Sequence, residues 1–440
     1  MQRLGTAPLV DDAALGRQIL TFSSPLEDSE DLDPLLDRIG DARFVLLGEA
    51  SHGTHEYYLW RARISRRLIE EKGFDFIAVE GDWPDCYRVN QYVRGELPDQ
   101  TAEEVLRAFN RWPTWMWANW EIVALTEWMQ AHNDGKPSAE QVGFYGLDVY
   151  SLWESLAEVT NYLNEHHPES VQAAYEAFRC FEPYAEDPQE YARGTLFVPD
   201  DCRDEVQKLL QTVRGRAADL ATGDAASLNA IMNAEAVQGA EAYYRAMVAG
   251  GADSWNLRDR HMTNTLNRLI QFHGPDSKAI VWEHNTHIGD ARYTDMARDG
   301  MFNVGQVVRE EHGDDGVVLA GFGSYQGTVI AGRSWDAPME VMDVPPAQTG
   351  SWEQALHDLD AEDRLLLFHP PATAGTELAV PRGHRAIGVV YRPEYERGNY
   401  VPTVLPLRYD AFLYLDRTEA LHPLHIEPKA GPPELYPWNV

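Results

Sequence analysis

Residues 43–56 read Arg43-Phe-Val-Leu-Leu-Gly-Glu-Ala-Ser-His-Gly-Thr-His-Glu56. The apolar run from Phe44 to Leu47 lacks the alternation of a half-exposed strand, so it reads as a strand buried on both faces. Two glycines allow a sharp turn after it. From Glu56 to Glu71 apolar residues then fall at Leu59, Ala62, Ile64, Leu68 and Ile69, a helical pattern. A second strand reads at Phe74-Asp-Phe-Ile-Ala-Val-Glu80. Strand, helix and strand within about forty residues predict a right-handed βαβ crossover.

Working outward, further strands are expected at 142–148, 279–284, 316–322, 326–331, 364–368, 385–391 and 411–415. The glycine-rich stretch from Gly321 to Gly327 reads as a turn between two of them. It departs from the dinucleotide-binding fingerprint, because a strand and not a helix follows it. Between Ser151 and His273 no strand texture is visible, only helical segments such as 204–221 and 229–249. The predicted architecture is α/β: a largely parallel central sheet flanked by helices, with a large helical lobe covering the carboxyl edge of the strands. Residues 1–150 and 276–440 would form the two halves of the core, and 151–275 the lobe. The Pro-rich tail from Glu427 reads as an irregular segment.

The chain has 440 residues, with 70 acidic side chains against 37 Lys and Arg and a formal charge of −33. Such a balance repels polyanions, so neither nucleic acid nor an anionic membrane is an expected partner. The N-terminus shows no signal-peptide pattern and no apolar run reaches the length of a membrane span, which points to the cytoplasm. Cys86, Cys180 and Cys202 are far apart with no CxxC, and neither a disulfide framework nor a zinc ribbon is expected.

Several apolar strands end in a residue able to do acid–base chemistry: Glu49, Glu80, Asp148 and His284. In open α/β sheets ligands bind beyond the carboxyl ends of the strands, so these residues would line one polar cleft. Asp148 reads equally well as a helix cap; Glu49 and Glu80, being poor caps, read as functional. His52 and His55 form one pair near this edge and His284 and His287 another, supplying side chains that move protons near neutral pH. No Gly-x-Ser-x-Gly elbow and no HExxH occurs, and Cys86 reads as a packed thiol. A hydrolase built this way would activate water directly through His or Glu. Four Trp between Trp112 and Trp120, with Trp83, would floor a site for a bulky apolar ligand or else pack as core.

The segments Leu47-Gly-Glu-Ala-Ser-His-Gly-Thr-His-Glu56 with Arg61, Val79-Glu-Gly-Asp-Trp83, Trp115-Met-Trp-Ala-Asn119 and Phe144-Tyr-Gly-Leu-Asp-Val-Tyr150 closely resemble the erythromycin esterase family. So do Asn256-Leu-Arg-Asp259, Trp282-Glu-His-Asn-Thr-His287 and Ile387-Gly-Val-Val-Tyr-Arg-Pro-Glu394. The resemblance implies an α/β core with a helical lobe and a deep cleft between them. It also implies hydrolysis of the macrolactone ring of 14-membered macrolides. His52 matches the family's presumed base, and Glu49, Arg61, Glu80, His284 and His287 match its other site residues. His55, Trp83, Trp115, Trp117 and Asp148 are the expected substrate contacts.

In physical terms, a Glu beside His52 would fix the imidazole's tautomer. Arg61 and a protonated His of the second pair would stabilise an oxyanion. Glu80 would orient the water or anchor Arg61. The same Glu and His residues suit zinc or manganese, although no cofactor is expected to be required. The rival readings are therefore a metal-dependent hydrolase of phosphoester or amide bonds, and a non-catalytic binder of an apolar ligand.

Overall fold

The strand expected at 43–49 forms as β2 (Phe44–Leu47), and all of its residues are buried. The computed structural model describes residues 12–184, 188–194, 201–217, 224–248, 251–368 and 375–425. The remaining strands are β1 (Ser23–Pro25), β3 (Phe76–Asp82), β4 (Gly143–Asp148), β5 (Ala279–Trp282), β6 (Val317–Gly332), β7 (Met339–Val344), β8 (Arg364–Leu367), β9 (Arg382–Arg385), β10 (Tyr400–Thr403) and β11 (Ala411–Thr418). A nine-stranded sheet runs in the order β1-β8-β11-β6-β2-β5-β3-β4, with β7 paired to β6, while β9 and β10 form a separate ribbon. From β4 across to β11 every pairing is parallel. Only β7 and β8 run against the rest, and β1, antiparallel to β8, again runs with them.

Because successive strand residues face opposite sides, the sheet feeds two cores. Phe44, Leu46, Phe76, Ala78 and Leu147 point to one. Val45, Leu47, Ile77, Val79 and Trp282 point to the other, against the helices His55–Lys72 and Trp120–Asn133. The first of these helices ends at Gly73, whose φ of 66° supplies the left-handed residue that closes a helix.

Between β4 and β5 the described chain is entirely helical, including the helices Leu152–His166, Arg203–Arg216, Ala225–Met247 and Ala252–His273. Their apolar faces (Leu156, Leu209, Val237 and Leu266 among them) join the core on the first face of the sheet. Among the described residues no helix is long and apolar enough to cross a membrane.

Four expectations need correction or fall outside the described residues. Residues 316–322 and 326–331 are parts of one strand, β6, with no turn between them. The glycines there serve close packing: a Cβ on Gly321 would sit 2.7 Å from the Tyr409 ring, and one on Gly323 would sit 2.6 Å from Phe412. The strand expected at 385–391 instead ends at Arg385, and Ile387 and Val390 make only isolated bridges to Ser51 and Gly332. Cys180 and Cys202 form a disulfide, an association hidden by their separation of 22 residues. The tail from Glu427 lies outside the described residues.

The loop after β2 is held by backbone alone at Gly53, whose carbonyl accepts from the N–H groups of Ile330 and Leu421, both at 3.0 Å. A Cβ on Gly53 would lie 1.9 Å from the Ile330 carbonyl oxygen. Two backbone segments cannot separate without losing those bonds, so Gly53→Ala is expected to destabilise the fold by about 2 kcal/mol. Urea unfolding monitored by tryptophan fluorescence measures this; an unchanged midpoint would show that the loop relaxes freely.

Candidate active site

The parallel register decides which side chains meet. Leu47 lies opposite Trp282, and Trp282 opposite Val79. The residues just beyond them therefore emerge together at the carboxyl edge: Glu49 and His52 after β2, His284 after β5, and Glu80 on β3, with Asp148 ending the neighbouring β4. All but Glu49, which lies behind His52, border a cavity of about 430 Å³, within the size range of small-molecule sites. His52, Glu80, Asp148, Arg258, His284 and His287 are part of its polar lining, with Asp82, Asp85 and Arg111 further along it, and Trp112, Trp117, Trp255, Trp335 and Phe109 are among its apolar walls.

His52 donates from Nδ1 to Glu49 Oε1 at 2.8 Å. The second carboxylate oxygen of Glu49 accepts from Arg61 at 2.6 Å. Arg61 is completely buried, its guanidinium lying 4.3 Å from the Tyr58 ring and 4.6 Å from Trp282. It is thus a support beneath Glu49 and cannot reach an oxyanion in the cleft. Nor does Glu80 anchor it.

The partner of Glu80 is Arg258, which sequence reading left without a role. Arg258 donates to Glu80 at 2.7 Å, to the two oxygens of Asp148 at 2.9 and 2.6 Å, and to His287 Nε2 at 3.0 Å. The other oxygen of Glu80 accepts from the His284 backbone N–H at 2.8 Å. Asp148 is therefore part of the cleft and not a helix cap, since the next helix starts only at Leu152. Only the quoted segment Asn256-Leu-Arg-Asp259 signalled Arg258.

His284 and His287 differ in the way their nitrogens are used. His287 donates from Nδ1 to Asp259 at 2.9 Å and accepts from Arg258 at Nε2, while its ring stacks on Trp255 with centroids 4.5 Å apart. Both its nitrogens are taken. His284 Nδ1 accepts from the Thr286 hydroxyl at 2.8 Å and from the Thr286 backbone N–H at 3.3 Å. This pattern assigns the proton to Nε2, which is buried and, among the described residues, makes no hydrogen bond of good geometry, the Ala50 backbone being the other polar group that acts on the ring. The His284 ring lies 4.9 Å from that of His52.

Electrostatics separate the two imidazoles further. Burial disfavours a charged His52, but the carboxylates of Glu80 and Glu49 outweigh it and raise its pKa above the ordinary 6.5. Burial and the neighbouring His52 hold His284 well below 6.5, so it is neutral. Burial would raise Glu80, yet the imidazoles of His287 and His52, the Arg258 guanidinium and the His284 backbone N–H beside it keep it far below the usual carboxylate range. Behind this layer, Glu283 is fully buried; burial and the nearby Glu80 and Asp259 push its carboxyl well up, making it a neutral acid.

Three expected substrate contacts lie elsewhere. His55 turns away from the cleft to Glu121 at 2.6 Å, because it is the first residue of a helix leaving the sheet edge. Trp83 packs between Tyr87 and Tyr145, its indole N–H on Asn229 at 2.9 Å. Trp115 is fully buried, with its ring edge-on to Trp112. Trp117 does line the cavity, and donates to the Glu80 carbonyl at 3.1 Å. As for a metal, the Arg258 guanidinium already fills the space between Glu80, Asp148 and His287 where a cation would bind.

The fold and this His–Glu cleft define an α/β enzyme of hydrolytic type. The erythromycin esterase family model matches residues 69–418, and the chain belongs to the erythromycin esterase family of hydrolases. It is 24% identical over 331 residues to the erythromycin esterase type II of Escherichia coli, covering 70% of this chain and 75% of that one. The crystal structure of a succinoglycan biosynthesis protein superposes with a TM-score of 0.73 at 21% identity, covering 94% of this chain and 98% of that one. A mutant erythromycin esterase in its open conformation gives 0.64 at 18% identity, covering 89% and 95%. At these identities the structural matches establish the fold.

The acid limb of a kcat/KM profile reports the base of the free enzyme. With its pKa raised, His52 should give a limb above pH 6.5. Glu80→Gln removes a negative charge that favours the imidazolium, so the limb should move to lower pH besides any loss of rate. A limb that stays in place would mean that another group titrates.

Proposed function

We propose that this protein hydrolyses a bulky carboxylic ester or macrolactone by direct attack of water activated by His52, with no covalent serine intermediate. The observation that carries this reading is the position of His52. Its Nδ1–H is committed to Glu49, while its Nε2 stands 4.0 Å from Glu80 Oε1. That gap is too long for a direct hydrogen bond and suits one water touching both. Arg61 holds Glu49, Glu49 holds the imidazole, and Nε2 takes the proton as the water oxygen attacks the carbonyl carbon.

The negative charge that develops on the carbonyl oxygen needs a donor with no other partner. His284 Nε2–H fits that need: its residue lines the cavity, it makes no well-formed bond of its own among the described residues, and it is neutral, so it donates without competing for the proton. When the tetrahedral intermediate collapses, the His52 imidazolium returns its proton to the departing alkoxide, giving an acid and an alcohol. His287, Arg258 and Asp148 act as positioning residues that keep Glu80 ionised and in place. The apolar walls, Trp112, Trp117, Trp335 and Phe109, favour a substrate with a large apolar part. The chain would act in the cytoplasm on a small molecule, with neither nucleic acid nor membrane as partner, in keeping with its charge of −33.

Incubating the enzyme with a panel of macrolides and bulky esters, followed by mass spectrometry, should reveal at least one product heavier by one water. His52→Asn should then lower kcat by about 10²–10⁴ with little change in KM. Near-normal turnover by His52→Asn would remove His52 from the mechanism, and activity confined to small acetyl esters would contradict the bulky substrate.

A further inference from the structure

His55, which leaves the cleft, arrives at a second cluster. Glu121, the second residue of the helix Trp120–Asn133, is 1% exposed. Its Oε1 sits between two imidazole nitrogens, His55 Nδ1 at 2.6 Å and His422 Nδ1 at 2.7 Å. The three residues come from two helix starts and from the chain after β11. Backbone bonds tie these segments together: His55 N–H to the Glu419 carbonyl at 2.8 Å, and Trp120 N–H to the His422 carbonyl at 3.0 Å. Among the described residues this is the group of three His, Cys, Asp or Glu whose donor atoms converge, all lying within 4.8 Å of one another. None of the three lines the catalytic cavity.

We propose that His55, Glu121 and His422 form a binding site for one divalent transition-metal ion of the zinc type, outside the catalytic cleft. Two imidazoles and a carboxylate are a donor set that suits zinc, whereas calcium and magnesium prefer oxygen alone. The charge also suits a cation, since the carboxylate of Glu419 acts on His55 in addition to that of Glu121. A tetrahedral ion holds its donors about 3.3 Å apart, so each imidazole must move away from Glu121, now at 2.6 and 2.7 Å, to admit the ion. Binding requires each Nδ1 to give up its proton, to Nε2 or to solvent. The His422 side chain is 31% exposed, which gives the ion a path and leaves its fourth position to water. Bound there, the ion would clasp the segment after β11 to the starts of both helices, three residues from His52.

The test uses the full chain, stripped with a chelator and titrated with Zn²⁺ by calorimetry, with stoichiometry from elemental mass spectrometry. The wild type should bind one zinc per chain. Glu121→Gln and His422→Ala should each weaken binding by more than about 100-fold, and His422→Cys should restore it. Glu80→Gln, in the cleft, should bind as the wild type does. Near-ultraviolet dichroism of His422→Ala, the exposed ligand, checks that its fold is intact. No zinc on the wild type, or equal binding by His422→Ala, would show that the cluster is a hydrogen-bonded clasp only. Loss of zinc in Glu80→Gln alone would place the ion in the cleft. Either result overturns the proposal, and neither depends on whether the enzyme turns over an ester.

Discussion

Parallel, in-register pairing of β2, β5 and β3, with β4 joined to β3 across a register shift after Val79, is the constraint on which the site depends. With Leu47, Trp282 and Val79 side by side, the residues that follow them cannot avoid one another. A slip of one residue would turn Glu80 and His284 to opposite faces of the sheet. The register is fixed by burial on both faces, since every residue of β2 and β5 is enclosed. Stability and chemistry therefore share a cause: the apolar ladder that packs the core also sets the separations of the polar groups at its end.

Those groups bring several charges into a poorly solvated space, and their pairing makes this tolerable. An isolated buried ion costs several kcal/mol, and a lone carboxylate would protonate instead. Arg61 neutralises Glu49, and Arg258 is shared by Glu80 and Asp148. Glu283 illustrates the alternative: among the described residues no cation pairs with it and its oxygens have no hydrogen-bond partner, and its carboxyl is held in the neutral form. The pairing leaves two unlike imidazoles at the cleft. His52 lies beside carboxylates that raise its pKa, and His284 is kept neutral by burial. One is suited to take a proton and the other to donate a hydrogen bond.

The central parallel strands and the residues at their ends are legible in the sequence because apolar runs signal burial, and because Glu and His are unusual at such ends; β1, β7 and β10, which carry no such run, are not. Roles were harder to read. Arg61 looks like a functional cation until its guanidinium is seen between Tyr58 and Trp282. Arg258 lies in the helix Ala252–His273, more than 170 residues from Glu80, and nothing local marks it as the partner. His52 and His55 look like a pair, yet the helix start between them sends one to Glu49 and the other to Glu121. Gly321 and Gly323 carry the composition of a turn but the function of a gap for the rings of Tyr409 and Phe412. In each case the missing information is which distant side chain occupies the adjacent space.

The central claim is the division of labour between His52 and His284. Long-range ¹H–¹⁵N correlation spectra of the imidazole nitrogens, recorded between about pH 5 and 8, test it without any substrate. The account predicts that His284 stays neutral throughout with its proton on Nε2. It predicts that His52 titrates above 6.5 and carries its proton on Nδ1 once neutral. A His284 that protonates before His52 as the pH falls, or a neutral His52 with its proton on Nε2, would contradict it.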